Sequence, residues 1–523
     1  MRLGPRDASA EDFEMFDYDV CVIGGGILGC MAARNLTRRR LRSVLVEQRE
    51  DVCTGISKAN TAIVYAGYDS RPGTKKSELC VEGNKKFRKL CRELGVAFKQ
   101  CGSIMVCFGS KGSRILEKKL ENGIKNGVEG LRLLSRQEIL SMEPNLSRRI
   151  FRGLYAPTTG VVNPWELGIA AFESARQNGC EMRLNTELKK IRRILGGYEL
   201  TLEQNGKLKT LCVRGVLNCA GLKADCVREM VFPPRVRIFP NGADYLVFDR
   251  MKKSFVKHVI FHEPEEGGKG LTIVPTVDGN LLVGPSERVF DADGDEAEPS
   301  ASSEEGLSFL YDACREVAPD LEPGAVIRNF AGIRPNPYEV CQDESGRYQK
   351  SGQSIHSFLI DQSLEEPGMV TLLGIKTPGL TCCDELTKYA VELLLKGIGG
   401  RWEPAENFQP CRKPAVSIRS LPVYEQKKLA EEDPAYGQIV CRCEHVTLGE
   451  IRDAVARGAV SIDGIKRRCR IGMGRCQGSR CTLKAMELLA QMKNIPVEEV
   501  EKDAAGSYII EAPVSKGGMY ETL

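Results

Sequence analysis

Gly24-Gly25-Gly26-Ile27-Leu28-Gly29, with a strand before it and a helix after it, restricts the fold of this chain more than any other stretch. Tyr18 to Ile23 reads as an apolar strand, Cys30 to Leu36 as a helix with small residues on its inner face, and Ser43 to Val46 as a second strand ending at Glu47. This is the βαβ unit that cradles a dinucleotide. Gly24 permits the tight turn, Gly26 lets a pyrophosphate approach the backbone, and Gly29 lets the helix pack against the strand. The phosphates then meet N–H groups at the positive end of the helix. Glu47, 18 residues after Gly29, stands where a ribose hydroxyl can donate to it.

The second constraint is sulfur. The chain has 523 residues, 21 Cys and only 4 His, so any metal cluster must lean on thiolates. Met1 to Phe16 lacks the apolar stretch that a secretory signal needs, so a reducing, cytoplasmic setting with free thiols is expected. No run of about 18 apolar residues is present to span a bilayer, and peripheral membrane contact is left open. The formal charge is +4, too balanced to argue for nucleic acid as a partner.

After a stretch rich in Pro, Lys and Glu come Cys441-Arg442-Cys443, then thirty-two residues, then Cys476 and, after four intervening residues, Cys481. Two pairs of thiolates on Gly-rich turns suit either zinc or an iron-sulfur cluster, and spacing alone does not separate them. Arg442, Arg475 and Arg480 are placed to offset the negative sulfurs. Helices are expected over Thr447 to Arg457, Ile462 to Arg468 and Thr482 to Met492.

Between these ends, mixed strand and helix signals run to about Arg401. Val213 to Cys219 reads as a strand returning to the nucleotide-binding sheet, followed by Ala220-Gly221. The acidic stretch from Ser286 to Gly306 imitates a calcium loop at Asp291 to Glu296, but without a bidentate Glu at the twelfth position it reads as a solvated loop. The expected organisation is an extension over 1–16, an oxidoreductase unit over 17–405 with interleaved subdomains, a linker over 406–437, a Cys-rich domain over 438–495 and a tail over 496–523. The fold class is α/β and α+β: a Rossmann-like nucleotide-binding domain, an antiparallel-sheet substrate domain and a small helical Cys-rich domain.

Two resemblances attach to these motifs. Cys441 to Cys481, with Cys-Arg-Cys-Glu and Gly-Met-Gly-Arg-Cys-Gln-Gly, resembles the bacterioferritin-associated ferredoxin type of domain. That implies Cys441, Cys443, Cys476 and Cys481 as ligands of a 2Fe-2S cluster rather than zinc, with Cys469 outside the set. Gly55 to Val64, Gly270 to Pro285, Phe330 to Pro335 and Gly374 to Thr381 resemble the D-amino acid oxidase-like superfamily of FAD enzymes, with FAD-dependent glycerol-3-phosphate dehydrogenases and L-2-hydroxyglutarate oxidases as the nearest members. FAD contacts are then expected from Gly24, Gly25, Gly26, Gly29, Glu47, Ser57, Asn60, Thr61, Ala62, Leu188, Ala220, Gly221, Gly379, Leu380 and Thr381. Arg334 is expected to hold a substrate phosphate or carboxylate. Such relatives carry His where this chain has Tyr65, and often where it has Asp278. His258 and His262 therefore become the remaining imidazoles in the substrate half, and Tyr65, Arg334 and His262 the candidate catalytic residues.

The resemblance implies hydride transfer from sn-glycerol 3-phosphate to flavin, giving dihydroxyacetone phosphate, with electrons relayed through a 2Fe-2S cluster to a quinone or redox protein. A 2-hydroxy acid such as L-2-hydroxyglutarate, or an amino acid, is the alternative substrate. Two rivals stay open: a flavin and iron-sulfur electron-transfer subunit reduced by a partner protein, favoured by the missing histidines, and a flavoenzyme with a zinc-held interaction module.

Overall fold

A computed structural model describes residues 15–252, 255–263, 270–290 and 301–511. The chain divides into two compact units, residues 1–48 with 52–414, and residues 49–51 with 415–523. Within the first, Tyr18–Ile23 forms strand β1, Ile27–Leu36 helix α1 and Ser43–Val46 strand β2. All of β2 and five of the six residues of β1 are buried, as expected for parallel strands covered on both faces. Their sheet runs, in spatial order, Glu181–Arg183, β2, β1, the end of Lys207–Asn218, Met369–Leu373 and an antiparallel edge strand Leu359–Gln362. The expected return strand is thus present, lengthened at its start into a hairpin with Gly197–Gln204.

A second sheet of ten strands, antiparallel except where Val259–His262 runs parallel to Ser103–Cys107, forms the other half of this unit. Its longest pair is Val236–Phe248 with Val326–Gln342, and the helix Glu304–Val317 buries Leu310, Cys314 and Val317 in the same apolar cluster as Leu246, Phe248 and Val283. The acidic segment read as a loop therefore ends in a helix capped by Ser303, while Asp291 to Glu296 lie outside the described residues.

Helix α2, Lys75–Leu94, starts at Thr74, whose hydroxyl accepts from Ser77 N–H, and stops at Gly95 in the left-handed region at φ 64°. It packs on the helix Gly379–Ile398 so tightly that a Cβ on Gly83 would lie 2.3 Å from the Thr381 carbonyl oxygen.

Two boundary expectations change. Phe16 belongs to the folded unit, buried against Gly197. The stretch 406–437 is not a bare linker: Arg412 is buried against Glu173, and Val423–Glu432 is a helix. In the second unit helices Leu448–Ala456, Ile462–Cys469 and Thr482–Lys493 surround a two-stranded ribbon, Ile439–Cys441 with Val446–Thr447. Thr447 and Glu450 form a capping box, which fixes where the first helix begins. Residues expected as a tail contribute Val500 to this core. Among the described residues no helix is long and apolar enough to cross a membrane.

Replacing Gly83 with Ala should cost about 1–3 kcal/mol by overpacking α2 against the helix Gly379–Ile398. Denaturant unfolding of the flavin-loaded protein measures it, and early flavin release should accompany the loss.

Candidate functional site

The turn between β1 and α1 is shaped by close approach. Gly24 sits at φ 100°, and a Cβ there would come within 2.7 Å of the Cys219 carbonyl oxygen and 3.0 Å of Ala220 Cα. A Cβ on Gly29 would lie 1.8 Å from the Gly24 carbonyl oxygen, so α1 can seat on the turn only without one. Gly25 N–H donates to Glu47 Oε2 at 2.6 Å, and Ile27 N–H donates to Ser57 Oγ at 2.9 Å. Gly24, Gly25, Gly26, Gly29, Glu47, Ser57 and Ala220 are thus brought around one helix end. Gly221 follows in the left-handed region, and Leu188 packs beside Ile23 and Val46 at the strand ends.

A cavity opens beside this turn. Ser57, Asn60 and Thr61 form one wall, and Gly379 and Leu380, opening the helix Gly379–Ile398, form another. Ala62 and Thr381 brace the walls from behind: Ala62 N–H donates to Asn60 Oδ1 at 2.8 Å, and Thr381 Oγ1 accepts from Tyr65 N–H at 2.9 Å. A Cβ on Gly332 would stand 2.5 Å from the Ala59 carbonyl oxygen, so the strand Val326–Gln342 reaches the loop only at a glycine. Two and four residues further on that strand, Arg334 and Asn336 share its face.

Among the described residues, the titratable groups lining the cavity are Tyr65, Tyr245, Arg334 and Lys376, with no carboxylate or imidazole. Burial pushes the Tyr65 phenol up to about 12, against the pull of the Thr61 hydroxyl and of Arg334. Burial also raises Tyr245, whose hydroxyl is bonded by the Arg334 guanidinium. Both phenols stay protonated and act as hydrogen-bond donors at neutral pH. The sequence reading missed Lys376. Its ammonium donates to Asn336 Oδ1 at 2.7 Å and Ser354 Oγ at 3.0 Å, and burial, helped by Lys76 and Arg334, pulls it down to about 8. One signal pointed to it: it is the sole charge in Gly374-Ile-Lys-Thr-Pro-Gly-Leu-Thr381.

His262 is not brought here. Side chains alternate along Val259–His262, so Phe261 meets the Tyr65 ring at 5.9 Å while His262 turns to the opposite side, edge-on to Phe108 at 5.3 Å. His258 Nδ1 is 2.6 Å from Glu143 Oε1, and Asp278 sits in the turn between Thr272–Pro275 and Leu281–Gly284. Neither residue lines the cavity.

In the second unit the four expected sulfurs form two pairs. Cys443 Sγ lies 3.5 Å from Cys476 Sγ, and Cys441 is hydrogen-bonded to Cys481. Backbone N–H groups of Gly472 and Glu444 point at Cys441, and those of Gly478 and Arg480 at Cys476. Arg480 therefore contributes its peptide group, while its side chain is exposed, as are those of Arg442 and Arg475. A Cβ on Gly474 would lie 2.4 Å from Cys443 Cβ, so this turn closes only around glycine. Glu444 is buried between Arg419 and Arg470, at 2.8 and 3.2 Å. Cys469 stands apart, its thiol donating to the Ile465 carbonyl oxygen and pushed up to about 12 by burial. No group of three or more His, Cys, Asp or Glu among the described residues closes around a single metal position. Two separate pairs with peptide N–H donors suit a two-iron cluster better than one zinc, which needs all four sulfurs around one point.

Residues 19–393 match the FAD dependent oxidoreductase family, and residues 439–491 match the BFD-like 2Fe-2S binding domain. The chain is 38% identical over 499 residues to a glycerol 3-phosphate dehydrogenase of Caloramator mitchellensis, covering 95% of this chain and 98% of that one. It is 26% identical to human mitochondrial L-2-hydroxyglutarate dehydrogenase, covering 70% and 84%. Among solved structures, an L-alpha-glycerophosphate oxidase from Mycoplasma pneumoniae with FAD bound superposes with a TM-score of 0.67 at 24% identity, covering 76% of this chain and 99% of that chain. The bare glycine turn fits FAD, and the paired sulfurs fit the cluster that the second family binds. Cys476→Ser should abolish the iron and sulfide content and the cluster absorption while the flavin bands stay, which metal analysis and a visible spectrum check.

Proposed function

The chain belongs to the FAD dependent oxidoreductase family, and we propose that it oxidises sn-glycerol 3-phosphate to dihydroxyacetone phosphate and passes the electrons to a separate acceptor. The observation that carries this reading is the cavity beside the flavin loop, whose titratable lining is two phenols and two cations. Such a lining selects an anion bearing a hydroxyl group. The 38% identical relative, which spans nearly the whole length including the Cys-rich unit, supports glycerol 3-phosphate over a 2-hydroxy acid.

When bound, FAD supplies a two-electron acceptor and the 2Fe-2S cluster a one-electron carrier. The protein's part is positioning and charge. Gly24 to Gly26 and the N–H groups at the start of α1 would hold the pyrophosphate, and Glu47 would accept from the ribose. Asn60, Thr61, Gly379 and Leu380 would flank the ring, with the N-terminus of the helix Gly379–Ile398 facing charge that develops there. Arg334 would take the substrate anion in a bidentate contact. Tyr65 would donate to the substrate hydroxyl oxygen. Held near 12, it does not replace the base that a histidine at this position would provide. The four thiolates would hold the cluster as a relay toward a quinone or redox protein.

Anaerobic glycerol 3-phosphate should bleach the flavin of the purified protein, and Cys476→Ser should bleach as well while failing to pass electrons to a one-electron acceptor. Absence of bleaching by this substrate sinks the reading; bleaching by L-2-hydroxyglutarate instead would transfer it to the alternative. Tyr65→Phe should slow reduction by roughly 10 to 100-fold without moving either limb of the pH–rate profile below pH 10, because the phenol does not titrate there. Stopped-flow flavin reduction across pH checks this.

A further inference from the structure

We propose that the face of the second unit around Cys443 and Cys476 is a docking surface for a small acidic protein that carries one electron at a time, and that Arg442, Arg475 and Arg480 recognise it by charge. The proposal deepens the relay reading above and rests on it.

The two sulfur pairs are unequal. Cys441 and Cys481 are each 1% exposed, sealed in the apolar cluster that holds Ile451, Ile465 and Leu489. Cys443 and Cys476 are only half-buried, so the site opens to the surface along that pair. Electron transfer between proteins falls off steeply with distance, and a partner is best served at that edge. The arginines flank it by chain position. Arg442 and Arg475 each immediately precede one of the two cysteines, whose sulfurs lie 3.5 Å apart, and Arg480 turns its peptide N–H back to Cys476. All three residues are exposed.

The face carries one sign of charge. From Arg470 to Ala485 the sequence has Arg470, Arg475, Arg480 and Lys484 and no carboxylate. Glu444, the acid beside Cys443, is buried and already shared by Arg419 and Arg470. The helix Thr482–Lys493 begins here with no acidic residue in its first turn, so the positive end of its dipole adds to the same sign. Leu483 in that turn is 59% exposed, an apolar contact beside a charged rim. Guanidiniums standing in water steer an approaching anionic surface over about a Debye length. A quinone, by contrast, needs an enclosed apolar cleft, which exposed arginines do not provide.

Each substrate oxidation releases two electrons and two protons. Two oxidised partner molecules dock in turn, each leaves with one electron, and the protons go to solvent. Redox encounters of this kind are small and brief, which favours a few steering charges over a large apolar patch.

The test uses the protein loaded with FAD and cluster, and zinc-substituted rubredoxin, a small acidic protein that accepts no electrons, as probe in calorimetric titration. The probe should bind in low salt and lose roughly tenfold or more in affinity between about 0.02 and about 0.2 M salt. Arg442→Gln with Arg475→Gln should weaken binding roughly 3- to 10-fold in low salt and hardly at all at about 0.5 M, and Arg442→Lys with Arg475→Lys should retain most of it. Leu483→Ala should weaken it at every salt concentration. Iron and sulfide content, the midpoint potential of the cluster and flavin bleaching by substrate should match wild type in the double Gln variant. No binding, or binding indifferent to salt and to the Gln substitutions, overturns the proposal. A shifted cluster potential with unchanged binding overturns it too, since the arginines would then serve the cluster alone. If zinc rubredoxin binds as stated but the substrate-reduced protein does not reduce the iron form, the docking face stands and the relay reading falls.

Discussion

The seat of α1 on the glycine turn is the contact on which the first unit depends. With the Gly24 carbonyl oxygen where a Cβ of residue 29 would be, the helix axis, the turn and the strand end are locked together without an intervening side chain. That lock aims Gly25 N–H in the turn toward Glu47 and Ile27 N–H, the first of α1, toward Ser57. The loop holding Ser57 continues to Asn60 and Tyr65, and Tyr65 N–H is tied to Thr381. One steric fact at residue 29 is thus propagated, through two hydrogen-bonded segments, to the walls of the neighbouring cavity.

Much of this was legible in the sequence because it is local. The glycine spacing, the flanking strands, the acid at residue 47 and the paired cysteines are short patterns whose physics does not need distant partners. The helices of the Cys-rich unit were legible for the same reason: Thr447 with Glu450 announces a start within four residues. The candidate substrate site was only half legible. Arg334 stands in a readable Gly-x-Arg-Pro motif, yet it lies inside a seventeen-residue strand, and its neighbours Tyr245 and Lys376 are set by sheet register and by the turn before the helix Gly379–Ile398. His262 misled because type alone nominated it; strand alternation sends Phe261 toward Tyr65 and the imidazole the other way. The supposed linker failed on composition: Pro, Lys and Glu marked polarity correctly, but Arg412 is buried through its ion pair with Glu173.

The two sites solve opposite electrostatic problems. The cavity gathers cations and protonated phenols and leaves negative charge to be supplied from outside. The cysteine turns gather incipient thiolates and answer them with the peptide N–H groups of Gly472, Glu444, Gly478 and Arg480. Neutral dipoles stabilise charge without adding a counter-charge that would have to be desolvated, a means suited to a site whose own charge changes.

The cavity walls are drawn from residues 57–65, 245, 334 and 376–380, so the loop beside the glycine turn waits for segments some 300 residues downstream. During synthesis the glycine turn is made among the first, while the strand Lys207–Asn218 that pairs with β1 follows some 180 residues later and Met369–Leu373, with the helix after it, some 345 residues later. At a ribosome adding about 5–20 residues per second, β1 and β2 wait on the order of twenty seconds or more for the sheet to be completed. Flavin capture is therefore a late event in the life of the chain, and the gathering of these distant walls, more than the fingerprint itself, decides when the nascent protein becomes a flavoprotein.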